Sequence, residues 1–390
     1  MDLDDALSAP RPRKRKTRPS GGNSGRRRLW IKRRRDKSQD SPNAKCVAEA
    51  FSLSGGPLGS LTVGSACAGW CAESQALTLL GVPHRVEFVA DNGKDVQRFL
   101  KGNLKYERLH SDVFSDGFAA ETSVDILCAG PPCQPYSREG DQKGEEDERA
   151  SVVEPIIDYC SKQRPLVILL ENVPQWKTVG KKNFDRCWER LSQIKAEDGE
   201  PFYNLYCQNI NSLNYGCPQN RIRLYVVALA RFADLGFTWP EASPAPDLSS
   251  IVDDGSVFHA SCSPEEVPPA MLTSKTKITN LAHALVKIED DHPFSRQYVV
   301  DVGAGRGNRL YKDHFPTLTA SRCQRLDYWS PNMRRRFSLK ELARGQGASA
   351  NGLNMESVSK TAMGHIIGNA MSIGVVRALL QQALQAIGVL

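Results

Sequence analysis

Val124-Asp125-Ile126-Leu127-Cys128-Ala129 runs directly into Gly130-Pro131-Pro132-Cys133-Gln134-Pro135-Tyr136-Ser137. The first half is short and almost continuously apolar. Such a run fits a strand buried on both faces of a parallel sheet. The second half cannot continue it, because three prolines within five residues stop both helix and ladder. A lone cysteine is ordinarily an apolar filler of the core. Cys133, clamped between prolines at a strand exit, reads instead as exposed and rigidly aimed.

Similar runs recur on either side. Residues 61–65, 85–90, 166–170 and 224–229 read as strands, and helical patterns fit between them, as at 152–163 and 182–196. The alternation predicts a doubly wound, Rossmann-like α/β fold. Between Phe237 and Trp329 the pattern fails; Pro, Asp, Ser and His are frequent and no period holds. That stretch is too long for a loop and is expected to be a small irregular lobe. Regularity returns with a helix near 338–345 and closes with a one-faced apolar helix at 366–387. The expected organisation is a basic arm (1–45), the first part of a large domain (58–236), the lobe (237–329) and a return to the large domain (330–390).

Charge separates the arm from the body. Of the 390 residues, the first 45 hold 15 Lys/Arg against 5 Asp/Glu, whereas the whole chain carries only +7. The surplus therefore belongs to the arm, with clusters at 11–18 and 26–35. Its composition predicts disorder, and a basic arm on a near-neutral body suits a nucleic-acid partner, a nuclear address or both. A solvated tail is the plainer alternative. The 11 cysteines are scattered, without zinc-site spacing or a disulfide framework. No apolar leader and no run of 18 apolar residues occurs, so the expectation is a soluble intracellular protein with reduced thiols and neither metal nor membrane.

In open α/β sheets ligands bind past the carboxyl ends of the strands, and several candidate groups lie there. Ser65-Ala66-Cys67-Ala68-Gly69-Trp70-Cys71-Ala72 is a small-residue turn that lets a cofactor approach backbone amides, or simply a tight turn. Asp91 can take both hydroxyls of a ribose, and Asp112 is a similar acid; each alone also fits a turn or cap. Glu171, followed by Asn172 and Val173, ends a strand where a raised pKa would let it donate a proton near neutral pH. Gln219, Arg221 and Arg223 alternate into the next strand and share a face suited to anchoring an anion or a carbonyl oxygen.

In order and spacing these segments resemble the cytosine-C5 DNA methyltransferase family, from about Leu61 to Leu380 with the irregular lobe excluded. PPCQPYS looks like the nucleophile motif, and Gly144, Asp147, Glu148 and Arg149 are similar to the mobile catalytic loop. ENV (171–173) and QNRIR (219–223) match next. FPTLTA (315–320) and SLKELAR (338–344) resemble the motif that supports the recognition lobe, and Gly368-Asn369-Ala370 resembles the final cofactor motif. Asp91 and Asn103 fit the second motif.

The resemblance implies an S-adenosylmethionine-dependent methyltransferase fold whose small lobe recognises the target. It implies methylation of C5 of a flipped-out cytosine in DNA, through a covalent adduct with Cys133. Glu171 would hold N3 and the exocyclic amine, and Arg223, with Arg221 behind it, would neutralise the carbonyl oxygen. Cys67, Gly69, Trp70, Asp91, Asn92, Asp112, Val113, Asn369 and Ala370 would form the cofactor site. The first motif departs from the family pattern: Cys67 replaces an aromatic residue, and Cys71 and Ala72 replace glycines. Trp70 could then compensate by packing on the cofactor. Asp91 stands where Glu is usual. Two other readings remain: a tRNA cytosine methyltransferase of the same fold, and an inactive nucleic-acid-binding regulatory protein. In the lobe, Arg306, Arg309, Arg322 and Arg325 could contact phosphate or bases.

Overall fold

The computed structural model describes residues 60–137, 147–268, 273–305, 309–349 and 352–390. The two basic clusters, Gly144 and Arg306 lie outside them. The chain divides into units 1–45 and 46–390, and everything described belongs to the second.

Seven strands, β1 (Leu61–Ala66), β2 (His84–Ala90), β3 (Tyr106–His110), β4 (Ile126–Ala129), β5 (Val167–Asn172), β6 (Tyr203–Asn211) and β7 (Ile222–Ala230), form one sheet in the order β3-β2-β1-β4-β5-β7-β6. β1 to β5 are parallel. The apolar runs do not alternate with polar residues because both faces are covered. Ile126, Cys128, Val167 and Leu169 enter one core, and Leu127, Ala129, Ile168 and Leu170 enter the other.

The helices are α1 (Ala72–Leu79), α2 (Lys94–Asn103), α3 (Asp116–Ala119), α4 (Val153–Gln163), α5 (Lys181–Ser192), α6 (Lys275–Ile288), α7 (Ala320–Arg325), α8 (Leu339–Gly345), α9 (Lys360–Asn369) and α10 (Ile373–Ala386). α1, α2, α9 and α10 build the first core; α3, α4 and α5 build the second. Strand order reverses between β1 and β4, so their carboxyl ends open a crevice at Ala66 and Ala129.

Two features differ from the expected parallel series. The strand expected at 224–229 is present as β7 but runs antiparallel to β5, and β6 pairs antiparallel along its far side. β6 carries half-exposed polar residues as the sheet's edge, so no continuous apolar run marks it. The irregular lobe contains a second sheet, β11-β10-β8-β9, of β8 (Tyr298–Asp301), β9 (Leu310–Lys312), β10 (Tyr328–Ser330) and β11 (Arg335–Arg336). Its strands have two to four residues, too short for a period to show. They share a core with α6 through Leu281, Leu285, Tyr298, Val300 and Trp329, and the sheet reaches Arg336, past residue 329.

The return segment locks onto the large sheet through a close helix pair. Gly364 and Gly368 lie one turn apart on α9. A Cβ on Gly368 would stand 2.2–2.4 Å from backbone atoms of Thr319 and Ala320, and one on Gly364 would stand 2.6 Å from those of Cys323 and Gln324. Only glycine lets α7 and α9 meet backbone to backbone. α8 starts as its sequence indicates, with a capping box between Ser338 and Glu341.

Candidate active site

Cys133 sits in a turn after β4, where its carbonyl accepts from the amides of Tyr136 (3.0 Å) and Ser137 (2.9 Å). Asn172, the last residue of β5, ties this loop down. Its Nδ2 donates to the Pro131 carbonyl at 3.3 Å, and its Oδ1 accepts from the Val173 amide at 2.8 Å. The Cys133 side chain is half-buried. Burial pushes its thiol up; the Arg223 charge draws it down, and the Glu171 charge raises it.

Glu171 precedes Asn172 and is buried. Arg223 Nε lies 3.3 Å from its Oε1, close enough for an ion pair. The pair lacks hydrogen-bond alignment, so Oε1 is buried without a hydrogen-bond partner among the described residues. Burial raises the Glu171 carboxyl, and Arg223 and Arg221 oppose this. A buried carboxyl, one oxygen of which has no hydrogen-bond partner among the described residues, thus acts by its charge on a thiol beside the same guanidinium.

Gln219 and Arg221 lie before β7 begins and do different work from Arg223. Arg221 Nη1 donates to the carbonyl of Leu318 (3.0 Å) and Nη2 to that of Ala370 (3.0 Å). Burial lowers its pKa to about 10. Gln219 Oε1 accepts from the Leu318 amide at 2.9 Å, and its Nε2 donates to Gln346 Oε1 at 2.8 Å. Gln346 in turn donates to Ile367 and accepts from Ser372. This buried network, in which only Arg221 Nε lacks a partner among the described residues, joins the β7 entry to α8, α9 and the start of α10. The anchored carbonyls are the protein's own, so Arg221 clamps the segments behind Arg223.

On the other side of the crevice, Asp91 Oδ2 accepts from the Gly69 amide (3.0 Å) and Oδ1 from the Gly93 amide (2.9 Å). Burial raises its carboxyl; these amides and the charge of His365 lower it, and Asp112 raises it. Cys67 feels both Asp91 and Asp112, so the three converge. Gly69 has φ +52°, and nothing stands within 4 Å of where its Cβ would be. The turn thus leaves an open cradle flanked by two carboxylates, an acceptor set that fits the hydroxyls and amine of a nucleoside.

Cys67 and Cys71 hold the left-handed turn without glycine, at φ 51° and 55°. This costs about 1–2 kcal/mol for each residue. Cys71 is buried and its thiol donates to Glu73 Oε1 at 3.0 Å. Asn92 is exposed at the rim. Two expected cofactor residues face away: Trp70 is buried, with its indole N–H donated to the Met371 carbonyl at 3.2 Å, and Val113 packs into the core under its turn. The apolar core encloses both side chains. Ala370 is buried and its carbonyl is taken by Arg221. Asn103 closes α2 and accepts from the Asn354 amide at 2.5 Å, a tie between loops. The two sides meet at Gly130, where a Cβ would be 3.8 Å from Met371 and 4.0 Å from Glu171 Oε2. In the lobe, Arg322 pairs with Asp301, and Arg325 shares Asp327 with Lys277.

The family model of the C-5 cytosine-specific DNA methylases matches residues 62–385. The chain belongs to this family. As a C-5 cytosine-specific DNA methylase it is 28% identical over 198 residues to the type II methyltransferase M.HhaI of Haemophilus parahaemolyticus, covering 50% of this chain and 55% of that one. It is 31% identical over 157 residues to M.NlaX of Neisseria lactamica, covering 40% and 48%. The chain thus spans about half the length of these curated relatives.

Among solved structures, a prophage-encoded DNA modification methyltransferase of E. coli superposes with a TM-score of 0.58 at 16% identity, over 84% of this chain and 99% of that one. The S. pombe Dnmt2 methyltransferase superposes with a TM-score of 0.54 at 14% identity, over 83% and 98%. These likenesses show the methyltransferase fold. Within this methylase the sequence reading missed His365 and Gln346. Neither lies in a quoted motif, though the GHIIG spacing before Asn369 signals the close helix contact that places His365.

Proposed function

We propose that the protein transfers a methyl group from S-adenosylmethionine to C5 of cytosine in DNA. The observation that carries this reading is the convergence of Cys133, Glu171 and Arg223 beside the Gly69–Asp91 cradle. When bound, S-adenosylmethionine supplies an electrophilic methyl group. Asp91 would hold its ribose hydroxyls, Asp112 the adenine amine and Asn369 the closing edge of the pocket, with Gly69 allowing close approach.

The target cytosine must leave the base stack to reach a crevice of this kind. Cys133 Sγ, as thiolate, then forms a bond to C6, and the C5–C6 electron pair moves to make C5 nucleophilic. Glu171, holding its proton, donates to N3 and accepts from the exocyclic amine through its free oxygen; this makes the ring accept the sulfur. Arg223 offsets the negative charge of the thiolate and of the base carbonyl. After C5 gains its methyl group, water takes the C5 proton, the double bond reforms with Cys133 leaving as thiolate, and N3 returns its proton to Glu171. The small sheet and α6 are the segment we assign to target recognition, and the basic clusters at 11–18 and 26–35 support a nuclear address.

The test is methyl transfer from radiolabelled S-adenosylmethionine to duplex DNA and to a tRNA pool, side by side, with Cys133→Ala as control. Label in DNA that disappears in the variant is the expected result. Label in tRNA alone would replace DNA with RNA as substrate. Cofactor binding without transfer to either would point to a missing partner or a specialised substrate, whereas absence of cofactor binding would favour the regulatory reading.

A further inference from the structure

His365 lies outside every motif read above, on the exposed face of α9 between two amides. Its Nε2 is 2.8 Å from Asn369 Nδ2 and its Nδ1 is 2.9 Å from Gln324 Nε2. The two partners belong to different elements, α9 and α7. Those helices touch backbone to backbone at Gly364 and Gly368, so the ring spans a gap of fixed width. The residue after Asn369 is pinned as well, since Arg221 holds the Ala370 carbonyl. The main freedom left to Asn369 is rotation of its amide. Across the pocket stands Asp91, near enough for the charge of His365 to act on its carboxyl after burial and the glycine amides have done so.

The chemistry of the ring makes this arrangement directional. A neutral imidazole accepts at one nitrogen and donates at the other. If Nε2 accepts from Asn369 Nδ2, then Nδ1–H donates to Gln324, whose amide presents its oxygen after a half-turn. The Asn369 carbonyl oxygen is then left to meet a donor, such as an ammonium or hydroxyl group. In the other tautomer Asn369 turns its NH2 outward instead. The ring therefore decides which atom of Asn369 a ligand meets.

We propose that His365 is a positioning residue of the cofactor pocket: by fixing the orientation of the Asn369 amide it sets the affinity for S-adenosylmethionine. This rests on the cofactor reading given under the proposed function. His365 and Asn369 are both exposed, so replacing either leaves the core intact.

The experiment is isothermal titration of the full chain with S-adenosylmethionine, for wild type, His365→Ala, His365→Gln, Asn369→Ala and the His365→Ala/Asn369→Ala double variant. Losing one oriented hydrogen bond should raise Kd by roughly tenfold in His365→Ala. Gln supplies both a donor and an acceptor and should recover most of the loss. In the Asn369→Ala background, removing His365 should change nothing further, because the two act as one unit. Wild type that fails to bind would overturn the cofactor reading and this inference with it. Wild type that binds while His365→Ala binds equally well would overturn the inference alone. So would a His365→Ala loss that persists undiminished in the double variant.

Discussion

At the scale of single residues, the reaction needs a sulfur without its proton and a carboxyl with one. Burial raises both Cys133 and Glu171, and the negative charge of Glu171 raises the thiol further. They titrate as a pair, and Arg223 decides how accessible the thiolate is. Activity should fall on the acid side, as the thiolate gains a proton. It should also fall on the alkaline side, above the higher of the two titrations, where thiolate formation is complete and the N3 donor continues to be lost. Glu171→Gln separates the two roles. It cannot pass a proton to N3, so methyl transfer should drop by about 10²–10⁴-fold. Wherever Glu171 is ionised its replacement also removes a charge that raises the thiol, so alkylation of Cys133 by iodoacetamide on the alkaline side of the Glu171 titration should become several-fold faster. Arg223→Ala should slow that alkylation. Peptide-resolved mass spectrometry reads both, and an unchanged alkylation rate in Glu171→Gln would mean the carboxyl does not act on the sulfur. Most of this constellation was legible from sequence because the chemistry requires unusual residues at strand ends. The exceptions are instructive. Trp70 and Val113 sit in cofactor motifs, yet their side chains serve the core. Arg221 shares a spacing with Arg223 but lies before the strand starts, so the strand's alternation does not govern it.

At the scale of elements, a helix or strand was legible where it buries a regular face. β4 and β5 are covered on both sides and read as unbroken apolar runs. β6 is an edge, and β8 to β11 are too short for any period. α6 did leave a signal, with Leu281, Ala284, Leu285 and Ile288 buried at helical spacing, but the polar surroundings masked it. The α7–α9 contact was written as Gly364 and Gly368, and its meaning depends on a partner that sequence alone does not supply. Gly368→Ala forces a methyl group into backbone that has no flexible end to give way. It should destabilise the protein by about 3 kcal/mol and lower the urea midpoint accordingly. Gly352→Ala, where nothing stands within 4 Å, should leave the midpoint unchanged. Equal midpoints for Gly368→Ala and wild type would show that the helices do not meet as described.

At the scale of the whole molecule, the surplus charge is concentrated in one part of the chain. The first 45 residues carry ten more cations than anions, although the whole chain is only +7. In the body, Arg322 and Arg344 are neutralised by Asp301 and Asp253. A duplex substrate is therefore expected to draw on the arm for non-specific attraction and on the body for chemistry. Each phosphate neutralised releases counterions, and log K falls with log salt at a slope of about −0.9 per contact. If roughly five of the arm's 15 Lys/Arg meet phosphate, deleting residues 1–45 should flatten that slope by roughly 4–5. The loss of affinity should be large at low salt and vanish as salt rises. Turnover at saturating DNA should survive, since no residue of the crevice is removed. Fluorescence anisotropy across a salt series measures this. Superimposable slopes for the full and shortened chains would leave the arm as an address alone, which nuclear exclusion of the shortened protein would then reveal.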